Sequence, residues 1–230
     1  PTLVIGGRLK SFRSNAKLGK GEFLVAEADE SDGSFLKLTP TLAVITNIDP
    51  EHLDHYQTFE KLQATFIDFA NKVPFYGVVV ACLDHSTVKK ILPQIQRRVI
   101  TYGLQSDAEF TATKIEPSGF QTQFQVLRNG KLLGTVKARL AGMHNVSNAL
   151  AAIAIGIELE IPFKVIAKAL ESFQGIERRL ETLYKNKDYL VLDDYGHHPE
   201  EIKATLSAIK QAFPERRLVT LFQPHRYTRT

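Results

Sequence analysis

The chain has 230 residues, of which 43% are hydrophobic, and a formal net charge of +4 at pH 7. This length and apolar content allow one well-buried core and predict two domains or parts of two. The basic residues are scattered without interleaved aromatics, and no apolar run reaches about 18 residues, so neither a nucleic-acid partner nor membrane insertion is expected.

The first elements are apolar runs that predict strands. Residues 1–7 predict a strand and residues 8–21 a basic loop, and the runs that begin at Phe23 and Leu42 read as buried strands of one parallel sheet. Ligands bind beyond the carboxyl ends of strands in open α/β sheets. The metal-binding side chains that follow these two strands are Glu27, Asp29, Glu30, Asp32, Asp49, Glu51, His52, Asp54 and His55.

Carboxylates with imidazole and no thiol favour Mg²⁺ or Mn²⁺ over structural zinc. The sequence therefore predicts a metal–phosphate site, with Glu27 and His52 each at the mouth of a predicted strand. The alternative is that these acidic residues are only solvated loop residues.

Alternating helices and strands continue the same sheet. A helix is predicted at 59–73, a strand at 76–82, a helix at 86–96 and a strand at 99–102. The βαβα order indicates a parallel, wound sheet. A single cysteine, Cys82, cannot form an internal disulfide, which fits a cytoplasmic location.

Antiparallel structure is predicted next. Two alternating segments, 120–127 and 131–140, flank Asn129-Gly130, which is typical of a type I′ hairpin, and they predict a small antiparallel sheet at the edge of the same domain. The later elements are predicted as helices at 143–159 and 162–173, a strand at 189–192, a helix at 199–213 and a strand at 217–222. The expected domains are residues 1–174 and 175–230.

Paired amides begin the helix at 143. Asn145 and Asn148 are three residues apart, so both project from one helical face. An amide offers a donor and an acceptor together, which an adenine edge requires. N-capping by Asn145 is the structural alternative, and it accounts for only one of the two.

Cationic side chains occur at the predicted domain boundary and near residue 230. Arg178-Arg179 can clamp a polyphosphate between domains, although a plain surface pair explains these residues equally well. The run of His225, Arg226 and Arg229 follows the last predicted strand and predicts a receptor for a carboxylate or a phosphate.

Five motifs in order resemble the Mur ligase family over essentially the whole chain. They are Ala-Glu-Ala-Asp-Glu-Ser-Asp at 26–32, Thr-Asn-Ile-Asp-Pro-Glu-His-Leu-Asp at 46–54, His-Asn-Val-Ser-Asn at 144–148, Asp-Asp-Tyr-Gly-His-His-Pro at 193–199 and Phe-Gln-Pro-His-Arg-Tyr-Thr-Arg-Thr at 222–230. The last motif resembles the members that join L-alanine to the carboxylate of UDP-N-acetylmuramate with ATP, in peptidoglycan precursor synthesis.

The resemblance implies an α/β fold. The expected architecture is the mostly parallel wound sheet of a P-loop-type ATPase domain with a small antiparallel edge sheet, followed by the start of a Rossmann-like domain. The family's N-terminal domain, its phosphate loop and most of its C-terminal domain are not found in the sequence. We therefore expect a fragment that is inactive alone.

The resemblance also implies a role for each motif residue. Glu27 and His52 would bind Mg²⁺ or Mn²⁺, and the nucleotide contacts would be Asn145 and Asn148 to adenine, Arg179 to the phosphates and Asp194 to the ribose. The residues around the substrate carboxylate and the alanine would be Tyr195, His197, His225, Arg226 and Arg229. His197, Arg226 and Arg229 would be catalytic. The other functions left open are a non-catalytic nucleotide-binding module and a metal-dependent hydrolase.

Overall fold

A computed structural model of the chain describes residues 1–105 and 107–224. The strands are β1 Thr2–Leu9, β2 Ser14–Lys17, β3 Leu24–Ala26, β4 Leu42–Ile45, β5 Val78–Cys82, β6 Val99–Tyr102, β7 Phe110–Ser118, β8 Gln121–Arg128, β9 Lys131–Ala138, β10 Glu181–Lys185 and β11 Leu190–Asp193. The α-helices are α1 Leu53–Tyr56, α2 Phe59–Asn71, α3 Ser86–Ile91, α4 Met143–Glu158, α5 Phe163–Ser172 and α6 Pro199–Ala212.

A six-stranded sheet in the order β4-β5-β6-β7-β8-β9 forms the centre of the fold. Its pairs are parallel from β4 to β7 and antiparallel from β7 to β9, so the predicted α/β class with a mostly parallel sheet is confirmed. The hairpin is not a separate edge sheet. Strand β7, which the sequence pattern did not predict, joins it to β6 through the pair Tyr102↔Phe110.

Strand β5 shows why helices cover both sheet faces. All five of its residues are buried, and alternate side chains point to opposite faces of a strand. Val78 and Val80 enter the core that includes residues of α4, whereas Val79 and Ala81 enter the core that includes residues of α2. Two apolar layers therefore sandwich the sheet.

The predicted helices form, with ends set by local chemistry. Thr58 caps α2 by accepting a hydrogen bond from the Lys61 amide at 3.2 Å. The helix predicted at 86–96 is shorter, because Pro93 has no N–H to donate and the chain continues as a 3₁₀ turn over Leu92–Gln94. The hairpin prediction is confirmed, with positive φ at Asn129 (49°) and Gly130 (75°).

The first three strands differ from their prediction. Strand β2 lies within the predicted basic loop and pairs with β1. Strand β3 was expected beside β4 in a buried sheet, but it is exposed and pairs in parallel with β1 in a separate three-stranded sheet. This prediction is wrong because β1 supplies the hydrogen-bonding edge that β3 uses.

The C-terminal part packs against the six-stranded sheet through α6. The ring of Phe213 meets that of Phe120 edge-on at 5.1 Å, and Ala208 packs closely against Gly142. Strand β10, which was not predicted, pairs with β11 in an antiparallel ribbon. The strand expected at 217–222 is not formed, because no neighbouring strand bonds to it in the described residues. The domain boundary at 174/175 stays a prediction.

Within residues 1–105 and 107–224, no helix combines the length and the apolar character that a bilayer crossing requires.

Candidate functional site

The loop after β4 is tightly built around His52. The Glu51 amide donates to the Asp49 carbonyl at 2.7 Å, and the Asp49 carboxylate lies 3.1 Å from Nε2 of His85. His52 has a left-handed backbone (φ 54°), and its carbonyl accepts from the Tyr56 amide at 3.0 Å. These contacts hold the backbone of His52 in the loop that follows the carboxyl end of β4.

A cavity of about 160 Å³ opens beside this loop. Its ionisable lining comes from Glu30, Asp49, Glu51 and His52, and the remaining lining combines the polar Thr46 and Asn47 with apolar side chains such as Phe35. Nε2 of His52 lies 3.7 Å from the Glu30 carboxylate and 3.5 Å from that of Glu51. Two carboxylates therefore face one imidazole nitrogen at the cavity.

The Glu30 carboxyl is perturbed by its surroundings. Burial raises its pKa, and the nearby His52 only partly opposes this rise. The hydroxyl of Tyr56 donates to the Glu30 carbonyl and anchors its backbone. A partly desolvated carboxyl next to an imidazole is the kind of group that a bound cation would ionise.

Glu27, the other predicted metal ligand, has different partners from His52. Its Oε2 accepts from the Gly6 amide at 2.7 Å, and its own amide donates to the Val4 carbonyl at 2.9 Å. In the described parts of the chain, no three His, Cys, Asp or Glu side chains are grouped so as to hold a metal ion by themselves. Mg²⁺ uses one or two carboxylates plus phosphates and water, so this oxygen-rich, thiol-free donor set fits such an ion.

The paired amides lie in the first turns of α4. Gly142, not Asn145, is the residue before the first helical position, so the N-cap alternative for Asn145 is wrong. The Asn145 amide group donates to the Ala141 carbonyl at 2.8 Å, while Asn148 is exposed. Asn148 is therefore the more available of the two for a ligand.

His144, which directly precedes Asn145 in the first turn of α4, is half-buried. Burial lowers its pKa, with a further lowering by Arg179 and an opposing effect of Asp194. The start of α4 is thus electrostatically coupled to two residues of the C-terminal part.

The Asp194 carboxylate accepts three hydrogen bonds within the protein. Oδ1 accepts from the Gly196 amide at 2.8 Å and from the Thr205 hydroxyl at 3.1 Å, and Oδ2 accepts from the Leu180 amide at 2.9 Å. A carboxylate has about four lone-pair sites. Roughly one of them therefore stays available for a ribose hydroxyl.

Arg179 is engaged in a local cluster. Its guanidinium donates to Oε1 of Glu201 at 3.1 and 3.2 Å and lies over the ring of Tyr195, 5.7 Å from the centroid. Burial favours a raised pKa for Glu201, but hydrogen bonds from the His197 and His198 amides, together with Arg179, lower it. The ring of His197 meets that of Tyr195 at 5.1 Å. The structure thus brings together three predicted residues: Arg179, Tyr195 and His197.

The central and C-terminal parts meet at a further contact. Nδ1 of His198 lies 3.1 Å from Oε1 of Glu51. His225, Arg226 and Arg229, predicted to bind the substrate carboxylate and the alanine, lie outside the described residues.

Two family models match the chain. The Mur ligase middle domain matches residues 8–156, and the glutamate ligase domain of Mur ligases matches residues 178–229. The chain belongs to the Mur ligase family.

Curated relatives narrow the comparison within the Mur ligases. The UDP-N-acetylmuramate–L-alanine ligase of Desulfotalea psychrophila is 56% identical over 230 residues, and the enzyme of the same name from Syntrophotalea carbinolica is 54% identical. Both alignments cover 100% of this chain and 50% of the relative. The chain therefore spans about half the length of the curated relatives it matches.

Solved Mur ligases have the same fold. The crystal structure of the UDP-N-acetylmuramate–alanine ligase MurC from Thermotoga maritima superposes with a TM-score of 0.84 at 30% identity, covering 98% of this chain and 51% of that chain. The MurF ligase from Thermotoga maritima in complex with ADP has a TM-score of 0.72 at 20% identity, covering 85% of this chain and 46% of that chain. At 20% identity, the comparison with MurF shows only that the fold is shared.

Sequence reasoning assigned no specific role to three residues at the cavity and at the interface. The sequence placed Glu30 and Glu51 only among the acidic residues that follow the predicted strands. It placed His198 only within the motif at 193–199. For Glu51, the available signal was its place directly before His52 in a strand-end loop. The contact with His198 joins positions 147 residues apart (198 − 51), and sequence spacing cannot reveal it.

Proposed function

We propose that the full-length Mur ligase joins L-alanine to the carboxylate of UDP-N-acetylmuramate, with ATP converted to ADP and phosphate, during peptidoglycan precursor synthesis. The observation that supports this most strongly is 53–56% identity across all 230 residues to relatives with that activity in their names. These alignments extend over the whole chain and therefore span the site described above.

The reaction that this proposal implies has two stages. The sugar carboxylate attacks the terminal phosphorus of ATP, and the bond to ADP breaks to leave an acyl phosphate. The amine of L-alanine then attacks the acyl carbon, a proton leaves the nitrogen, and the tetrahedral intermediate expels phosphate to form the amide. Such transfers need positioning and charge neutralisation more than covalent help from the protein.

The strand-end side chains are assigned to the cation. Glu27 and His52 would hold Mg²⁺ or Mn²⁺, which when bound supplies positive charge for the phosphate oxygens. Glu30 and Glu51 add negative charge on the Nε2 side of His52. The mixed carboxylate and imidazole donors support this assignment.

The nucleotide contacts are assigned around α4 and the C-terminal part. Asn148, with its exposed amide, and Asn145 would meet the adenine. Arg179 would contact the phosphates from its place over the Tyr195 ring, and the remaining lone pair of Asp194 would accept from the ribose.

The carboxylate and alanine contacts are assigned to the C-terminal motifs. Tyr195 and His197 would contact the substrate, together with His225, Arg226 and Arg229. Arg229 is our choice for the alanine carboxylate, because a guanidinium fork matches a planar carboxylate. The cytoplasmic location expected from Cys82 stays a prediction.

A substrate-omission assay tests the proposal. The full-length enzyme is incubated with ATP, Mg²⁺, UDP-N-acetylmuramate and L-alanine, and ADP and the amide product are quantified by chromatography and mass spectrometry. We expect ADP and amide in equal amounts and neither when any substrate is left out. Nucleotide binding without turnover would indicate a binding module, and release of product without ATP would indicate a hydrolase.

A further inference from the structure

Two histidines from distant parts of the chain face one carboxylate. Oε2 of Glu51 lies 3.5 Å from Nε2 of His52, and Oε1 lies 3.1 Å from Nδ1 of His198. The side chains of both histidines are only 15% exposed, and that of Glu51 is 23% exposed. We call this trio the Glu51 bridge. Its partial burial makes it less screened by solvent than a surface ion pair.

Both ends of the Glu51 bridge are held in place. On the central side, the Glu51 amide bonds to the Asp49 carbonyl, and Asp49 contacts His85. On the C-terminal side, His198 directly precedes α6, and its amide donates to Glu201 at 3.4 Å. Contact between His198 and Glu51 therefore depends on the packing of α6 against the six-stranded sheet.

We propose that Glu51 is a positioning residue, which links seating of the C-terminal part to the geometry of the cation site at His52. This inference rests on the proposed function, because His52 is a metal ligand only there. When His198 holds one oxygen of Glu51, the other oxygen stays directed at Nε2 of His52. Without His198, Glu51 loses the contact at Oε1, and its other oxygen is oriented less firmly toward His52.

The proposal follows from the cost of ordering a flexible side chain. A glutamate that is already held in place binds a charge without a further loss of rotamer freedom. Residues that orient metal ligands from outside commonly change metal affinity about 10- to 100-fold when replaced. His198 acts one contact further out, so its replacement is expected to fall at the lower end of this range.

The test measures Mn²⁺ binding by electron paramagnetic resonance in the full-length enzyme with ADP present. Glu51→Gln keeps the shape of the side chain and removes its charge, and we expect about 10-fold weaker Mn²⁺ binding. His198→Phe should weaken it several-fold, and the double variant should be no weaker than Glu51→Gln alone. His198→Asn, which keeps a donor near Nδ1, should restore most of the loss.

Glu200→Gln is the matched control. It removes a carboxylate two residues from His198 that lies 3.7 Å from Nζ of Lys203. Circular dichroism of each variant verifies the fold. Additive losses from Glu51→Gln and His198→Phe, or unchanged Mn²⁺ binding in either, would overturn the proposal while leaving the proposed function intact. A wild-type enzyme that binds no Mn²⁺ with ADP would overturn both.

Discussion

Replacing Asp194 by Asn separates a structural role from a nucleotide role for this carboxylate. The asparagine oxygen can still accept hydrogen bonds from the Gly196 amide and the Thr205 hydroxyl. The asparagine NH₂ group then faces the Leu180 N–H. One charge-assisted hydrogen bond is lost and two donors oppose each other. A hydrogen bond to a charged group contributes about 1.5–3 kcal/mol, and the site is half-buried, so we expect a loss of about 2 kcal/mol.

The assay is urea unfolding of the full-length enzyme without nucleotide, followed by far-ultraviolet circular dichroism. Asp193→Asn is the control, because the Asp193 carboxylate lies 3.3 Å from Arg178, whose side chain is 60% exposed. An exposed pair of this kind contributes about 0–1 kcal/mol. If Asp194→Asn unfolds like the wild type and only weakens ATP binding, the structural reasoning is refuted and the carboxylate serves the ribose alone.

Three further predictions concern the start of α4. Gly142→Ala should destabilise the enzyme by about 1–3 kcal/mol in thermal unfolding, because φ is +86° and the new Cβ would lie 2.6 Å from Cβ of Ala208. The pKa of His144 is lowered by burial, so the folded state keeps it neutral while the unfolded state takes up a proton near the ordinary value. The free energy of unfolding should therefore fall as pH drops below about 6.5, and His144→Gln should flatten that slope in pH-dependent denaturation. Asn148→Ala should weaken ATP binding by about 1–3 kcal/mol in calorimetry without lowering the melting temperature, since the residue is exposed.

Controls keep these outcomes distinct. Gly175→Ala is the matched control, because Gly175 has nearly the same positive φ (85°) and nothing within 4 Å of the added Cβ, so it isolates the backbone cost. Equal destabilisation by both glycine replacements would contradict the packing argument at Ala208. If the free energy of unfolding of His144→Gln still falls with decreasing pH, groups other than His144 cause that dependence. A fall in melting temperature in Asn148→Ala would show that this amide stabilises the fold.

Local chemistry explains which parts of the fold could be predicted. The Asn129-Gly130 turn and the helical spacing of α2 are encoded within a few residues, and both are confirmed. Strand β3 fails because its partner, β1, is chosen by pairing across the sheet rather than by its own composition. Strands β7 and β10 were missed for the same reason, since their short apolar stretches become strands only beside a neighbour.

The candidate site divides in the same way. Motif spacing led to His52, Asn148 and Arg179, whose roles at the site stay predictions. The occupied lone pairs of Asp194 and the contact between Glu51 and His198 depend on how distant segments pack. Sequence therefore indicates the chemistry of the site, and the structure shows which groups already have partners.

The most direct test of the central claim follows an oxygen atom. UDP-N-acetylmuramate labelled with ¹⁸O in its carboxylate is incubated with the full-length enzyme, ATP and L-alanine, and the released phosphate is analysed by mass spectrometry. Amide formation through an acyl phosphate predicts one ¹⁸O atom in each phosphate released. Unlabelled phosphate would contradict the ligase account, because the carboxylate would then never have attacked ATP.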